Sequence, residues 1–143
     1  MNALYCREVA GHGEREICHA IRRQVFVDEQ KLFAVDDRDE HDEHAIHYAA
    51  LLRDEIIGTV RIYRDRDGIW WGGRLAVLKR YRGRAGRLLI QACVERVQRE
   101  GGVHFRAFVQ QDNVAFFKTL KWIAIGDMTL ICNRPHQLME AAL

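Results

Sequence analysis

The sequence predicts an α/β domain with a mixed, mostly antiparallel sheet of six to seven strands flanked by helices. Three observations carry this. Three strand-like runs in the middle of the chain are joined by short turns. Amphipathic helical patterns lie before and after them. The last of the three runs leads through a basic, glycine-containing turn into the second helical pattern. At 143 residues, 48% of them apolar, the chain suits one domain spanning 1–143.

The elements follow in order. Residues 3–9 read as a first strand. From Glu14, the residues Ile17, Ile21 and Val25 recur at four-residue spacing, one face of a helix running to about Gln30. The polar stretch 31–44 follows as a loop. "AIHYAALL" (45–52) and "IIGTVRIY" (56–63) read as strands joined by the turn Arg53-Asp54-Glu55, and Asp67-Gly68 signals a hairpin into "IWWGGRLAVL" (69–78). Gly86, Ile90, Cys93, Val94 and Val97 mark the inner face of a second helix, which Gly101-Gly102 ends. "VHFRAFV" (103–109) is a strand, parallel to 69–78 because a helix connects the two. Asp112 is expected to cap a short helix with Asn113, Phe116, Phe117 and Leu120 on one face. Residues 122–132 and 136–143 close the chain as paired strands. The order is β-α-βββ-α-β-α-ββ.

Composition narrows the function classes. The formal net charge is only +2, so bulk electrostatics points to no nucleic-acid partner. No apolar run approaches ~18 residues and the N terminus has no signal-like core, so no membrane partner and a cytoplasmic location are expected. The four cysteines, Cys6, Cys18, Cys93 and Cys132, have no metal-knuckle spacing and read as free thiols.

Charge is clustered instead. "KRYRGRAGR" (79–87) follows a strand and opens a helix, where unpaired amides and the helix dipole attract anions. Gly83 permits φ > 0, Ala85 and Gly86 leave room, and Arg82, Arg84 and Arg87 add charge-assisted donors, a combination that fits a pyrophosphate. Neither a Walker loop nor a dinucleotide fingerprint is present. The pattern R-x-x-G-x-A, formed by Arg80, Gly83 and Ala85, with "LAV" (75–77) before it and "N..FF..LKW" after it, resembles the signature of the GNAT (GCN5-related) N-acetyltransferases. "RRQVFVDEQ" (22–30), "DRDEHDEHAIH" (37–47), "WWGGRLAV" (70–77) and "NRPHQLMEAAL" (133–143) further resemble a small GNAT subgroup found with bacterial nitrilase gene clusters.

The resemblance implies acetyl-CoA as co-substrate and no metal, with the pyrophosphate at Arg82–Arg87 and the pantetheine arm along Leu75, Ala76 and Val77. It also implies Asn113 and Phe117 beside that arm, and an oxyanion donor in the backbone near Val77. Members often dimerise, which adds a homodimer to the expectations. Two departures stand out: Phe117 occupies the position of the family's thiolate-protonating tyrosine, and Trp71 that of a catalytic glutamate. They leave open a second reading, an acyl-CoA-binding module without turnover that acts with a partner protein.

For the acceptor, a small-molecule primary amine, the acidic segment 36–47 is the expected wall. Asp36, Asp39, Glu40, Asp42 and Glu43 would attract a cation, and His44, His47 or Glu29 would take its proton. Trp71 and Arg74 are further substrate-binding candidates, since an arginine inside an apolar strand needs a carboxylate or phosphate. His41, His44 and His47 are spaced for a helix face, but the strand beginning at residue 45 breaks that face, which argues against a metal. His104 and His136 read as structural or surface residues.

Overall fold

The computed structural model describes residues 3–143, so Met1 and Asn2 of the expected domain lie outside it. The chain forms β1 (Leu4–Glu8), α1 (Gly11–Arg23), β2 (Ile46–Leu52), β3 (Glu55–Arg64) and β4 (Trp70–Val77). Then come α2 (Arg84–Arg99), β5 (Phe105–Gln110), α3 (Val114–Thr119), β6 (Trp122–Ala124), β7 (Thr129–Ile131) and β8 (Arg134–Ala141). One sheet runs in the order β1-β2-β3-β4-β5-β8-β6, with β7 also on β8. All neighbours are antiparallel except β4 and β5.

Among the described residues there are eight strands where six to seven are expected. The run 122–132 does not stay extended: Gly126 turns at φ 68°, and β6 and β7 pair separately with β8. The side-chain amide of Gln137 fills the break, donating to the carbonyls of Ile125 and Gly126 at 3.0 Å each. The expected Asp112 cap is also absent. A short 3-10 turn over 111–113 leads into α3, and no side chain caps it.

The first helix is longer than α1. A wider turn, Gln24–Glu29, continues it, with Gln30 N bonded to the carbonyl of Val25 five residues back at 2.9 Å. Its inner face differs from the expected one: Ile17 is exposed, while Cys18, Ile21, Arg22 and Val25 are buried. A 3.6-residue period puts Cys18, Ile21, Arg22 and Val25 in one stripe. The sheet is thus covered on one side by α1, over Ala49, Leu51 and Ala76. On the other side α2 packs Leu89, Cys93 and Val97 over Ile57, Ile62 and Phe105.

The expected parallel pairing holds for a short distance only. Trp70, Trp71 and Gly72 pair with Phe105, Arg106 and Ala107, and there the pairing ends. One cause is visible in β4. Its register against β3 slips between Thr59 and Arg61, opposite Arg74, whose φ is 53°. Such a bulge bends its strand. Beyond Gly72, β4 and β5 part, and the β5-facing backbone of β4 has no strand partner.

Candidate active site

A cavity of about 250 Å³ runs through this gap. Its lining comes from both faces of the sheet. On the α2 side are Leu75, Ile90, Cys93, Phe105, Asn113 and Phe117. On the α1 side are Phe33, Tyr63, Trp71, Arg74, Phe108 and His136. Alternation along each strand explains the division, since Trp71, Phe108 and His136 lie on one face and Gly72, Ala107 and Val109 on the other. Trp70 is buried in the core, whereas Trp71 stacks on Phe108 across the gap, with centroids 5.6 Å apart.

Of the residues expected along the cofactor arm, Leu75, Asn113 and Phe117 line the cavity. Ala76 and Val77 are buried in the strand, against α1 and α2 respectively. Phe117 packs edge-on against Trp122 with centroids 5.2 Å apart, and its ring offers no proton to a leaving group.

The basic turn has the geometry of an anion cradle. Gly83 precedes α2 at φ 112° and ψ −101°, a conformation open only to glycine, and no side chain caps the helix. The first-turn amides are therefore free of a protein partner. Arg84 and Arg87 are exposed, and neither forms an ion pair among the described residues. Ala85 and Gly86 are both buried, and a β-carbon at Gly86 would meet only the Phe116 ring, at 3.9 Å. Arg82 is engaged. It donates to both carboxylate oxygens of Glu29 at 2.6 and 2.7 Å, and to the carbonyl of Val77 at 3.1 Å.

That pairing removes Glu29 as a base. Arg82 beside it holds the carboxyl below the usual range, so it stays an anion with little proton affinity. His47 is removed by burial. It is 3% exposed beneath α1, and its Nε2–H donates to the carbonyl of Asp42 at 3.0 Å. Glu40, Glu43 and His44 are exposed on the outer surface and line no part of the cavity.

The acidic segment folds inward instead. Arg22 Nε donates to Asp37 at 2.7 Å, and its two terminal nitrogens donate to Asp42 at 2.8 and 3.0 Å. Arg61 bridges Asp39 (2.7 Å) and Asp42 (3.0 Å). Arg74 donates to the carbonyl of Asp37 at 2.9 Å and pairs with the carboxylates of Asp37 and Asp39 at 3.1 and 3.3 Å. Three arginines and three aspartates thus neutralise each other. Burial opposes the charge on Asp42, but Arg22, the Asp39 amide and Arg61 outweigh it and hold the carboxyl well below the usual range. Burial lowers the pKa of Arg74, and the nearby charge of Arg61 adds to this. Asp37, Asp39 and Asp42 are consumed as structural counter-ions, so the acidic segment offers the cavity no free carboxylate.

The histidines beside this network make stability pH-dependent. Burial is the main cause that holds His19 and His47 below the ordinary histidine value. A depressed folded pKa means the unfolded chain takes up the protons first. Their contribution is complete above about pH 6.5 and is lost as the pH falls below it. Asp39 and Asp42, also depressed, contribute above about pH 4 and lose that contribution below it. Melting curves should therefore show Tm falling from about pH 6.5 downward and again below about pH 4. A flat Tm between pH 7 and 5 would exclude the histidines as the cause.

All four cysteines are free. Among the described residues, no group of three or more His, Cys, Asp or Glu is placed to hold a metal ion, and no helix is long and apolar enough to cross a membrane. His41 stacks on Tyr63 with centroids 4.0 Å apart, and His44 meets the same ring edge-on.

The architecture has close counterparts. A Lactobacillus plantarum protein superposes with a TM-score of 0.87 at 24% identity, covering 98% of each chain. Escherichia coli ElaA gives 0.84 at 20% identity, covering 99% of this chain and all of that one. An acyl-CoA N-acyltransferase from Pseudomonas aeruginosa gives 0.77 at 19% identity, again covering 99% and 100%. These likenesses concern the fold. The profile of the Acetyltransferase (GNAT) family matches residues 15–122. A sheet parted between β4 and β5, a glycine-opened helix after β4 and a profile match over most of the chain lead to one conclusion: this protein belongs to the GNAT acetyltransferase family.

Proposed function

We propose that the chain is a single-domain N-acyltransferase that moves an acetyl group from acetyl-CoA to a primary amine on a small, largely apolar or aromatic molecule. The observation that carries this is the cavity through the β4–β5 gap, open to the α2 side for the thioester arm and to the α1 side for the acceptor. The uncapped turn at Gly83, with Arg84 and Arg87, would hold the pyrophosphate, and Asn113 would lie beside the arm.

The acceptor half is aromatic, and no Asp or Glu lines it. Arg61 and Arg74 also line it, with their charges balanced by Asp37, Asp39 and Asp42 behind them. Such a wall offers a polycation no free counter-charge and suits a monoamine on an apolar body. Attack is direct, within a ternary complex. Burial pushes the Cys93 thiol far up, which leaves it without the thiolate an acyl carrier needs, and Cys132 is exposed at the rim. The stretches at 22–30, 37–47 and 133–143 support a place in the subgroup found with nitrilase gene clusters, and the four free thiols suit a reducing cytoplasm.

Calorimetric titration of the protein with acetyl-CoA tests the first half. Micromolar binding, matched by CoA and lost for pantetheine alone, is the expected result. CoA release from a panel of arylalkylamines and polyamines tests the second half, with the arylalkylamines expected to react. Absence of binding would end the transferase reading. Tight binding without turnover across the panel would favour a binding module instead, a role consistent with Phe117 in the proton donor's place.

A further inference from the structure

The transferase reading leaves the amine's proton without a recipient, and the cavity supplies one. We propose that His136 is the general base of the transfer. The inference rests on the function proposed above.

His136 stands on β8 directly opposite Gln110, the last residue of β5, on the face shared with Phe108. That is the acceptor side, beyond the point where β4 has left the sheet. The ring lines the cavity although the residue is only 6% exposed. Its Nδ1 lies 2.8 Å from the carbonyl oxygen of Arg134. A carbonyl only accepts, so Nδ1 carries the hydrogen and Nε2 keeps its lone pair. No described protein group bonds to Nε2.

Elimination points the same way. The titratable or charged groups that face the cavity are Arg61 and Tyr63 from β3, Arg74 from β4, Cys93 from α2 and Cys132 from the β7–β8 turn, with Arg134 close by on β8 itself. The arginines hold their protons. Burial raises Tyr63 and Cys93, which keeps both protonated at neutral pH. Cys132 has no carbonyl-fixed orientation comparable to that of His136. Among the described residues, His136 is the one imidazole in the lining.

The step balances without a further reagent. The amine nitrogen attacks the thioester carbonyl and the C–N bond forms. Nε2 takes the proton that the nitrogen sheds. The C–S bond breaks, its electron pair leaves on sulfur as the thiolate of CoA, and the imidazolium passes its proton to solvent.

Two measurements on the full chain test this. The first is nitrogen-15 NMR of the histidine side chains in the wild-type protein at alkaline pH. It should show His136 protonated on Nδ1 and bare on Nε2, and a His136 with hydrogen on Nε2 would overturn the proposal whatever the kinetics. The second is the pH profile of CoA release with acetyl-CoA and 2-phenylethylamine as probes. In wild type, kcat should rise with pH through the value that NMR titration gives for His136. His136→Gln should lower kcat by about 100- to 1,000-fold and abolish that limb, while affinity for acetyl-CoA and KM for the amine stay essentially unchanged. A histidine with a merely structural role would leave the limb in place. Unchanged turnover in the variant sinks the base assignment but spares the transferase reading. A wild type that binds acetyl-CoA yet releases no CoA with any amine sinks both. Should His136→Gln not fold, His136→Asn and the wild-type NMR result still decide the matter.

Discussion

Asp42→Ala is expected to lower the melting temperature by roughly 10–20 °C, through a loss of about 3–5 kcal/mol. Asp42 accepts both terminal nitrogens of Arg22, one from Arg61 and the amide of Asp39. Arg22 and Arg61 are 1% and 4% exposed. Without Asp42, two guanidiniums stay in a low-dielectric interior with only Asp37 and Asp39 to balance them. An intact buried ion pair adds little to stability, because desolvation consumes most of its attraction. A broken one is costly because the survivor cannot reach water. Glu43→Ala, at the next and exposed position, is the control and should stay within about 0.5 kcal/mol of wild type. A Tm for Asp42→Ala as close to wild type as that control would show that water reaches the network.

The second large effect concerns the turn before α2. Gly83→Ala should weaken acetyl-CoA binding by about 5- to 100-fold, which corresponds to the roughly 1–3 kcal/mol of strain for a side chain at such a backbone angle. Gly83→Glu should abolish measurable binding, since it adds an anion where the pyrophosphate is expected. Both variants should melt close to wild type. No atom lies within 4 Å of where a β-carbon would stand, and the turn is exposed, so the strain relaxes by moving the turn rather than the core. The amides move with it, and that movement is what binding would register. Wild-type affinity in Gly83→Glu would show that "RYRGRAG" is a basic connector and that the phosphates lie elsewhere.

Much of this arrangement was legible from residue pattern. Alternation and helical spacing carried the order of elements through β5, because those signals come from burying one face of each element. The conflict between Arg74 and its apolar strand correctly signalled a carboxylate partner. The same logic applies to Arg61 within "IIGTVRIY" and to Arg22 on the inner stripe of α1, and it would have exposed the whole network. Instead, the acidic run 36–47 was expected to face an amine, because a charge run alone does not reveal which of its members turn inward. The role proposed above for His136 has no sequence signature for a related reason. It depends on a hydrogen bond to a backbone carbonyl two residues away and on a gap between two other strands, and neither has a one-dimensional signature. The break at Gly126 was missed because the apolar run 122–132 continues through it, while the amide that fills it comes from Gln137, eleven residues on. Lys121 adopts φ 68° although it is not a glycine, which residue pattern does not foretell.

The short seam at Trp70–Phe105, Trp71–Arg106 and Gly72–Ala107 has a consequence for how long the protein survives in a cell. Among the described residues it is the only backbone ladder between the two half-sheets, so their separation breaks few hydrogen bonds and is opposed chiefly by the apolar core they share, in which Phe105 lies with Ile57 and Ile62. A molecule lying in the gap would become the missing rungs. Each tenfold rise in its free concentration above Kd would then add about 1.4 kcal/mol against that opening. Proteolytic lifetime would thereby follow the supply of the acyl donor, and a starved cell would clear the protein faster than a fed one.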